Sequence, residues 1–93
     1  MKKITMIHME GCPYCQNAFR AIDELKSEMP VYGDLVIETI NETKTPELTK
    51  PYAGAYYYVP SIFVDGQKAY EAQPGQGYEE IKAHVKEAFE AAR

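Results

Sequence analysis

The segment from Cys12 to Cys15, read as Cys-Pro-Tyr-Cys, constrains the fold of this chain more than any other. It contains both cysteines of the sequence. The residues just before it, from Lys3 to Met9, form an apolar run typical of a buried strand. From Pro13 onward apolar residues recur at helical spacing until Pro30. The sequence therefore predicts a strand, a tight turn that carries the cysteine pair, and a helix.

The remaining elements follow from hydrophobic periodicity and from turn residues. Asp65-Gly66 is a strong signal for a two-residue hairpin. We predict a second strand over 35–40 that runs parallel to the first, a short helix from Thr45-Pro46 that Pro51 interrupts or ends, strands over 61–64 and 67–71, and a last helix from about Tyr78. The order βαβαββα predicts an α/β fold, a four-stranded mixed sheet flanked by helices, in a single domain over residues 1–93.

Composition limits the classes of partner. The chain has 93 residues, a formal net charge of -4 and no basic cluster, which argues against a nucleic-acid or anionic membrane surface. The apolar run at the amino terminus is too short for a signal peptide, and no segment approaches the ~18 apolar residues of a membrane span. We expect a cytoplasmic protein, where a close cysteine pair serves catalysis or metal binding rather than a structural disulfide.

Proline at the first helical position distinguishes the two cysteines. It places Cys12 at the helix cap, where we expect it to be exposed, and Cys15 in the first turn, where we expect it to be partly covered. Unpaired amides and the helix dipole stabilise an anion at the cap, so Cys12 is the predicted nucleophile and Cys15 the resolving thiol. Two alternatives are weaker: small core residues, or a zinc site completed by His8 and His84. We expect no metal.

The motif Cys-Pro-Tyr-Cys, together with Tyr58-Val59-Pro60 before a strand, resembles the glutaredoxins of the thioredoxin-fold superfamily. The resemblance implies a cis Pro60 facing the cysteines and a Val59 backbone that pairs with glutathione or a peptide. Gly77 and Tyr78 are similar to the family's start of the last helix, which holds the γ-glutamyl carboxylate. Tyr14 is a further predicted binding residue. The implied protein is a monomeric thiol-disulfide oxidoreductase with glutathione as co-substrate, no tightly bound cofactor, and glutathione or disulfide-containing proteins as partners.

The chain departs from the glutaredoxin pattern in two places, before Cys12 and before Val59. Glu10 stands where many glutaredoxins have a lysine, and it should disfavour a thiolate and repel glutathione. A tyrosine-rich segment precedes Val59, and Lys50 is the cation nearest to it. We expect some of its tyrosine rings to pack on the last helix and others to form the rim of the Cys12 groove. The tyrosines of this segment are Tyr52, Tyr56, Tyr57 and Tyr58. Two alternatives stay open: a flavoprotein of the thioredoxin-reductase type as electron donor, and an iron-sulfur cluster module.

Overall fold

The computed structural model describes residues 1–93 and contains four strands and two α-helices. Two 3₁₀ helices lie in the connections on either side of the second strand, at Pro30–Tyr32 and Pro46–Tyr52. The main elements are β1 (Ile4–His8), α1 (Pro13–Glu28), β2 (Ile37–Asn41), β3 (Ser61–Val64), β4 (Gln67–Glu71) and α2 (Tyr78–Ala92). Neither α-helix has the length and apolar character that a membrane-spanning helix needs.

The four strands form one mixed sheet in the order β2-β1-β3-β4. Central β1 runs parallel to β2 and antiparallel to β3, and β4 is the antiparallel edge. The predicted fold class is confirmed. The second strand starts at Ile37, two residues later than predicted, because Ile37 is the partner of Ile4, the first residue of β1. Leu35 is buried ahead of the strand and belongs to the core.

The two faces of the sheet are covered differently, because successive strand residues point to opposite sides. Ile4 and Met6 of β1 face a core of 17 buried residues that includes the inner faces of α1 and α2. Ile7 faces the other way, toward a cluster of three buried residues that includes Ile40 and Phe63. Most of the protein's apolar packing therefore lies on the helical side of the sheet.

Two tyrosines cover the opposite face of the sheet. Tyr52 and Tyr56 pack against Phe63, with ring centroids 4.5 and 6.5 Å away. The prediction that tyrosines of this segment pack on the last helix was wrong for these two. Phe63 points away from α2 because its strand neighbours Ile62 and Val64 already occupy the helical face.

The connections largely follow the predicted turn chemistry. Asp65 and Gly66 have φ values of 49° and 82°, as a two-residue hairpin with a left-handed turn requires. The predicted short helix is a 3₁₀ helix that contains Pro51 and ends at Tyr52. Proline lacks the N–H of a regular α-helical turn and its ring crowds the preceding turn, which disfavours an α-helix here.

Candidate active site

Cys12 caps the amino terminus of α1. Its backbone is extended, with φ -100° and ψ 108°, and Pro13 follows as the first helical residue. The Cys12 Sγ atom accepts a hydrogen bond from the Cys15 N–H at 3.1 Å. Gly11, with φ 69°, forms the left-handed turn that leads from β1 into the cap. The predicted placement of the two cysteines at the helix start is confirmed.

The exposure of the two cysteines differs from the prediction. Cys12 is only 6% exposed and Cys15 only 2% exposed. The segment before β3 accounts for the covering of Cys12, because the Cys12 thiol lies 3.7 Å from the Val59 carbonyl oxygen and donates to it. Cys12 is nevertheless part of the lining of a surface groove. Cys15 is outside that lining and lies in the interior.

Burial makes the Cys15 thiol a weaker acid than an exposed cysteine. Loss of solvation, together with the adjacent Cys12 sulfur, raises the pKa of the Cys15 thiol to about 12. The Cys15 thiol is therefore protonated throughout the neutral pH range. It becomes a nucleophile only when its proton is removed at the moment of attack.

The Val59-Pro60 peptide bond is cis, as the resemblance implied. Pro60 is buried, and its carbonyl accepts a hydrogen bond from the Ala72 N–H at 3.0 Å. The Val59 carbonyl faces Cys12, whereas the Val59 N–H has no acceptor within the chain. One main-chain donor beside the cysteine groove is thus free to pair with another chain.

The groove above Cys12 has a volume of about 490 Å³ and an apolar, aromatic lining. It brings together three of the predicted site residues, namely Cys12, Tyr14 and Val59. None of the lining residues has a charged side chain. The lining consists of Met9, Gly11, Cys12, Pro13, Tyr14, Tyr57, Tyr58 and Val59. Such a surface suits an extended peptide with apolar side chains better than a small, highly charged ligand.

Gly77 and Tyr78 lie outside this lining. Gly77 is exposed and caps α2 without a side-chain hydrogen bond. The Tyr78 hydroxyl donates to Glu24, and the Arg20 guanidinium lies 4.1 Å from the centre of the Tyr78 ring. The Tyr78 side chain therefore joins α2 to α1. Tyr14 links the two regions, because its hydroxyl accepts a hydrogen bond from the Gly75 N–H at 2.8 Å.

Glu10 has a counter-ion that the sequence did not indicate. Lys44 Nζ lies 3.2 Å from Glu10 Oε1, and this contact lowers the pKa of the Glu10 carboxyl. The Glu10 N–H donates to Thr43 Oγ1 at 3.2 Å. The loop before Cys12 is thereby tied to the loop after β2, and the negative charge of Glu10 is partly neutralised.

Glu71, the last residue of β4, is a further residue of the site that the sequence did not indicate. Its Oε2 atom accepts hydrogen bonds from the N–H groups of Tyr57 at 2.9 Å and Tyr58 at 2.8 Å. Lys68 Nζ lies 2.6 Å from its Oε1 atom. These contacts, of which the one with Lys68 has the largest effect, lower the pKa of Glu71 to about 2. An acidic residue at the end of a strand predicts only exposure, so no sequence pattern reveals this contact.

No group of three or more His, Cys, Asp or Glu residues is arranged to hold a metal ion. His8 packs edge-on against Phe19, with ring centroids 4.9 Å apart. His84 stacks on Tyr70 at 4.8 Å. Both imidazoles thus have aromatic packing partners, and His8 is only partly buried.

No protein-family model matches the sequence, and a search of curated proteins finds no match. Solved structures do match. Desulfothioredoxin from Desulfovibrio vulgaris Hildenborough in its reduced form has a TM-score of 0.56 and 23% identity, over 91% of this chain and 79% of that chain. The human ERp44 zinc-bound form has a TM-score of 0.54 and 15% identity, over 91% of this chain and 25% of that chain.

These similarities establish the thioredoxin fold. This chain spans about a quarter of the length of the ERp44 chain. The resemblance to glutaredoxins stays a prediction from the sequence.

Proposed function

We propose that the protein is a thiol-disulfide oxidoreductase that reduces disulfides in proteins or mixed disulfides with glutathione. The observation that carries the proposal is the position of the Cys12 sulfur. It caps a helix, accepts the Cys15 N–H at 3.1 Å, and lies in a groove that a second chain can enter. An N–H donor at a helix amino terminus stabilises a thiolate more than a thiol.

The reaction has two exchange steps. The Cys12 thiolate attacks one sulfur of the substrate disulfide, forms a mixed disulfide, and displaces the other sulfur as a thiolate that takes up a proton. Cys15 then loses its proton and attacks the Cys12 sulfur, which releases the second substrate thiol. Two electrons have moved from the cysteine pair to the substrate, and the protein holds a Cys12–Cys15 disulfide. An external thiol must reduce that disulfide before the next cycle.

The Val59 main chain provides the binding contact for the substrate backbone. Its free N–H and its carbonyl near Cys12 support pairing with an extended peptide, as one more strand beside the sheet. The apolar groove lining supports a protein substrate. Gly77 and Tyr78 have no part in this groove, and a role for their amides in binding a γ-glutamyl carboxylate rests on the glutaredoxin resemblance.

The electron donor has two candidates. The glutaredoxin resemblance favours glutathione as co-substrate. A flavoprotein of the thioredoxin-reductase type is the alternative, and one observation favours it: the groove lining has no cation to hold either glutathione carboxylate.

Substitution of each cysteine tests the proposal. With insulin as substrate and dithiothreitol as reductant, we expect Cys12→Ser to remove all catalysis above the uncatalysed rate. Cys15→Ser, reduced beforehand and then freed of dithiothreitol, should still perform the first step with insulin and accumulate as a mixed disulfide, which mass spectrometry detects as a covalent adduct. Circular dichroism of both variants controls for folding. An active Cys12→Ser protein would contradict the proposal.

A further inference from the structure

We propose that Glu71 is a positioning residue that makes the cysteine groove selective for extended protein substrates. Its carboxylate holds the segment before Pro60 so that Val59 offers the one free main-chain N–H of residues 57–59 to an incoming chain, and Tyr57 and Tyr58 form the rim. This inference rests on the proposed function and adds a substrate class and a residue that controls it.

The carboxylate acts on the segment from the edge of the sheet. Glu71 is paired with Ser61, the first residue of β3, so its side chain starts from a fixed point beside the groove. It is only 13% exposed, and Oε2 takes both tyrosine amides at 2.9 and 2.8 Å. Hydrogen bonds to a charged acceptor are about twice as strong as those between neutral groups.

Occupation of these two amides sets the register of any added strand. Among residues 57–59, Glu71 uses the N–H groups of Tyr57 and Tyr58, and the Val59 N–H stays free. The Val59 carbonyl accepts the Cys12 thiol in the reduced protein. When Cys12 loses its proton, that carbonyl becomes available to a substrate N–H. Both main-chain contacts of the substrate then fall on one residue, next to the reacting sulfur.

The hydrogen bonds from Tyr57 and Tyr58 to Glu71 also orient the rim of the groove. Tyr57 is 82% exposed and Tyr58 is 41% exposed, and their rings meet edge to face at 4.8 Å. The Tyr58 carbonyl is also held, because it accepts a hydrogen bond from Ser61 Oγ at 2.6 Å. Two exposed rings on a fixed backbone offer flat apolar contact at little cost in conformational entropy. An apolar side chain close to the target cysteine of a substrate would use this contact.

A single-turnover experiment tests the inference without an external reductant, because the reduced cysteine pair supplies the electrons. Pre-reduced protein is mixed with increasing concentrations of insulin or of hydroxyethyl disulfide, and the loss of protein thiols is followed. For Glu71→Ala we expect the half-saturating insulin concentration to rise about tenfold, since two charge-assisted hydrogen bonds are lost. The maximal rate with insulin and the rate with hydroxyethyl disulfide should change by less than about twofold, because neither depends on the added strand.

Two matched variants and one direct measurement complete the test. Glu71→Gln keeps an oxygen acceptor for the amides and should restore most of the insulin affinity, and Lys68→Ala should behave as the wild type. Amide hydrogen exchange by NMR should quicken at Tyr57 and Tyr58 in Glu71→Ala and stay unchanged in β3. If Glu71→Ala loses reactivity equally with insulin and with hydroxyethyl disulfide, or if amide exchange at Tyr57 and Tyr58 is unchanged, the role of Glu71 is contradicted. Either result would leave the proposed function intact. A wild-type protein that reduces neither disulfide would overturn the proposed function as well.

Discussion

Cys12 and Cys15 have the same chemistry and very different surroundings. Cys12 faces the groove and receives the Cys15 N–H, whereas Cys15 lies in the interior with its pKa raised to about 12. Free thiolate, and not thiol, is the reactive form. At the residue scale, these different positions support the proposal that Cys12 is the attacking thiol and Cys15 the resolving one.

Alkylation of the reduced protein should report this difference. At pH 8 the Cys15 thiol is ionised to only about one part in ten thousand, given a pKa of about 12. Because that pKa is raised, the thiolate form increases only as the pH approaches 12. We expect limiting iodoacetamide to label Cys12 and leave Cys15 unlabelled between pH 7 and pH 9, as measured by mass spectrometry of the peptides. Labelling of Cys15 ahead of Cys12 would contradict the assignment.

The residues that were predictable from sequence are those whose role depends on local geometry. Pro13 after Cys12 indicates a helix cap by itself, and the cap is present. The contacts of Glu71 with Tyr57 and of Glu10 with Lys44 join residues far apart in the chain. A single sequence contains no signal for such contacts, because the side chains meet only after the sheet has formed.

At the scale of elements, the hairpin between β3 and β4 positions both Pro60 and Glu71. Its turn residues Asp65 and Gly66 have positive φ values, and Asp65 also exchanges hydrogen bonds with Lys3, where β1 begins. The turn therefore fixes the register of β4 and anchors it to the central strand.

Substitution of Gly66 should lower stability through the backbone alone. Nothing lies within 4 Å of a Cβ added at Gly66, whose φ is 82°. We expect Gly66→Val to lower the free energy of unfolding by about 1–2 kcal/mol, the cost of left-handed backbone for a side-chain-bearing residue. Gly66→Asn should cost less, because asparagine tolerates this conformation. Urea denaturation measures both, and equal losses for Val and Asn would argue against a backbone origin.

Elements with strong periodicity or turn signals were predicted well, and the weakly patterned segment was predicted as a short helix without its type. α1, the hairpin and α2 lie where the sequence placed them, within a residue or so. The segment Pro46–Tyr52 buries no residue completely, so its sequence has no apolar stripe to distinguish an α-helix from a 3₁₀ helix.

At the scale of the whole molecule, the net charge of the protein and the uncharged groove lining both bear on which reductant we expect it to use. The net charge is -4, and the groove lining has no charged side chain. Lys44, which lies close to the loop before Cys12, is paired with Glu10. Glutathione, with two carboxylates, finds no cation in this groove.

We therefore expect a thioredoxin-reductase-type flavoprotein with NADPH to support faster insulin reduction than glutathione with its own reductase. Glu10→Lys is the matched variant, because it removes a carboxylate and adds a cation beside the groove. It should raise the glutathione-supported rate several-fold, and added salt should reduce that gain. A faster rate with glutathione in the unmodified protein would instead favour the glutaredoxin-type donor.

The hydrogen bond between the Lys2 N–H and the Ala92 carbonyl, 2.8 Å long, brings the two ends of the described chain to one corner of the fold. Neither end crosses the cysteine groove, whose lining comes from other parts of the chain. A short linker could join these ends, and new ends could be opened in the exposed loop around Gly54. We expect each strand to keep its neighbours in such a rearranged chain.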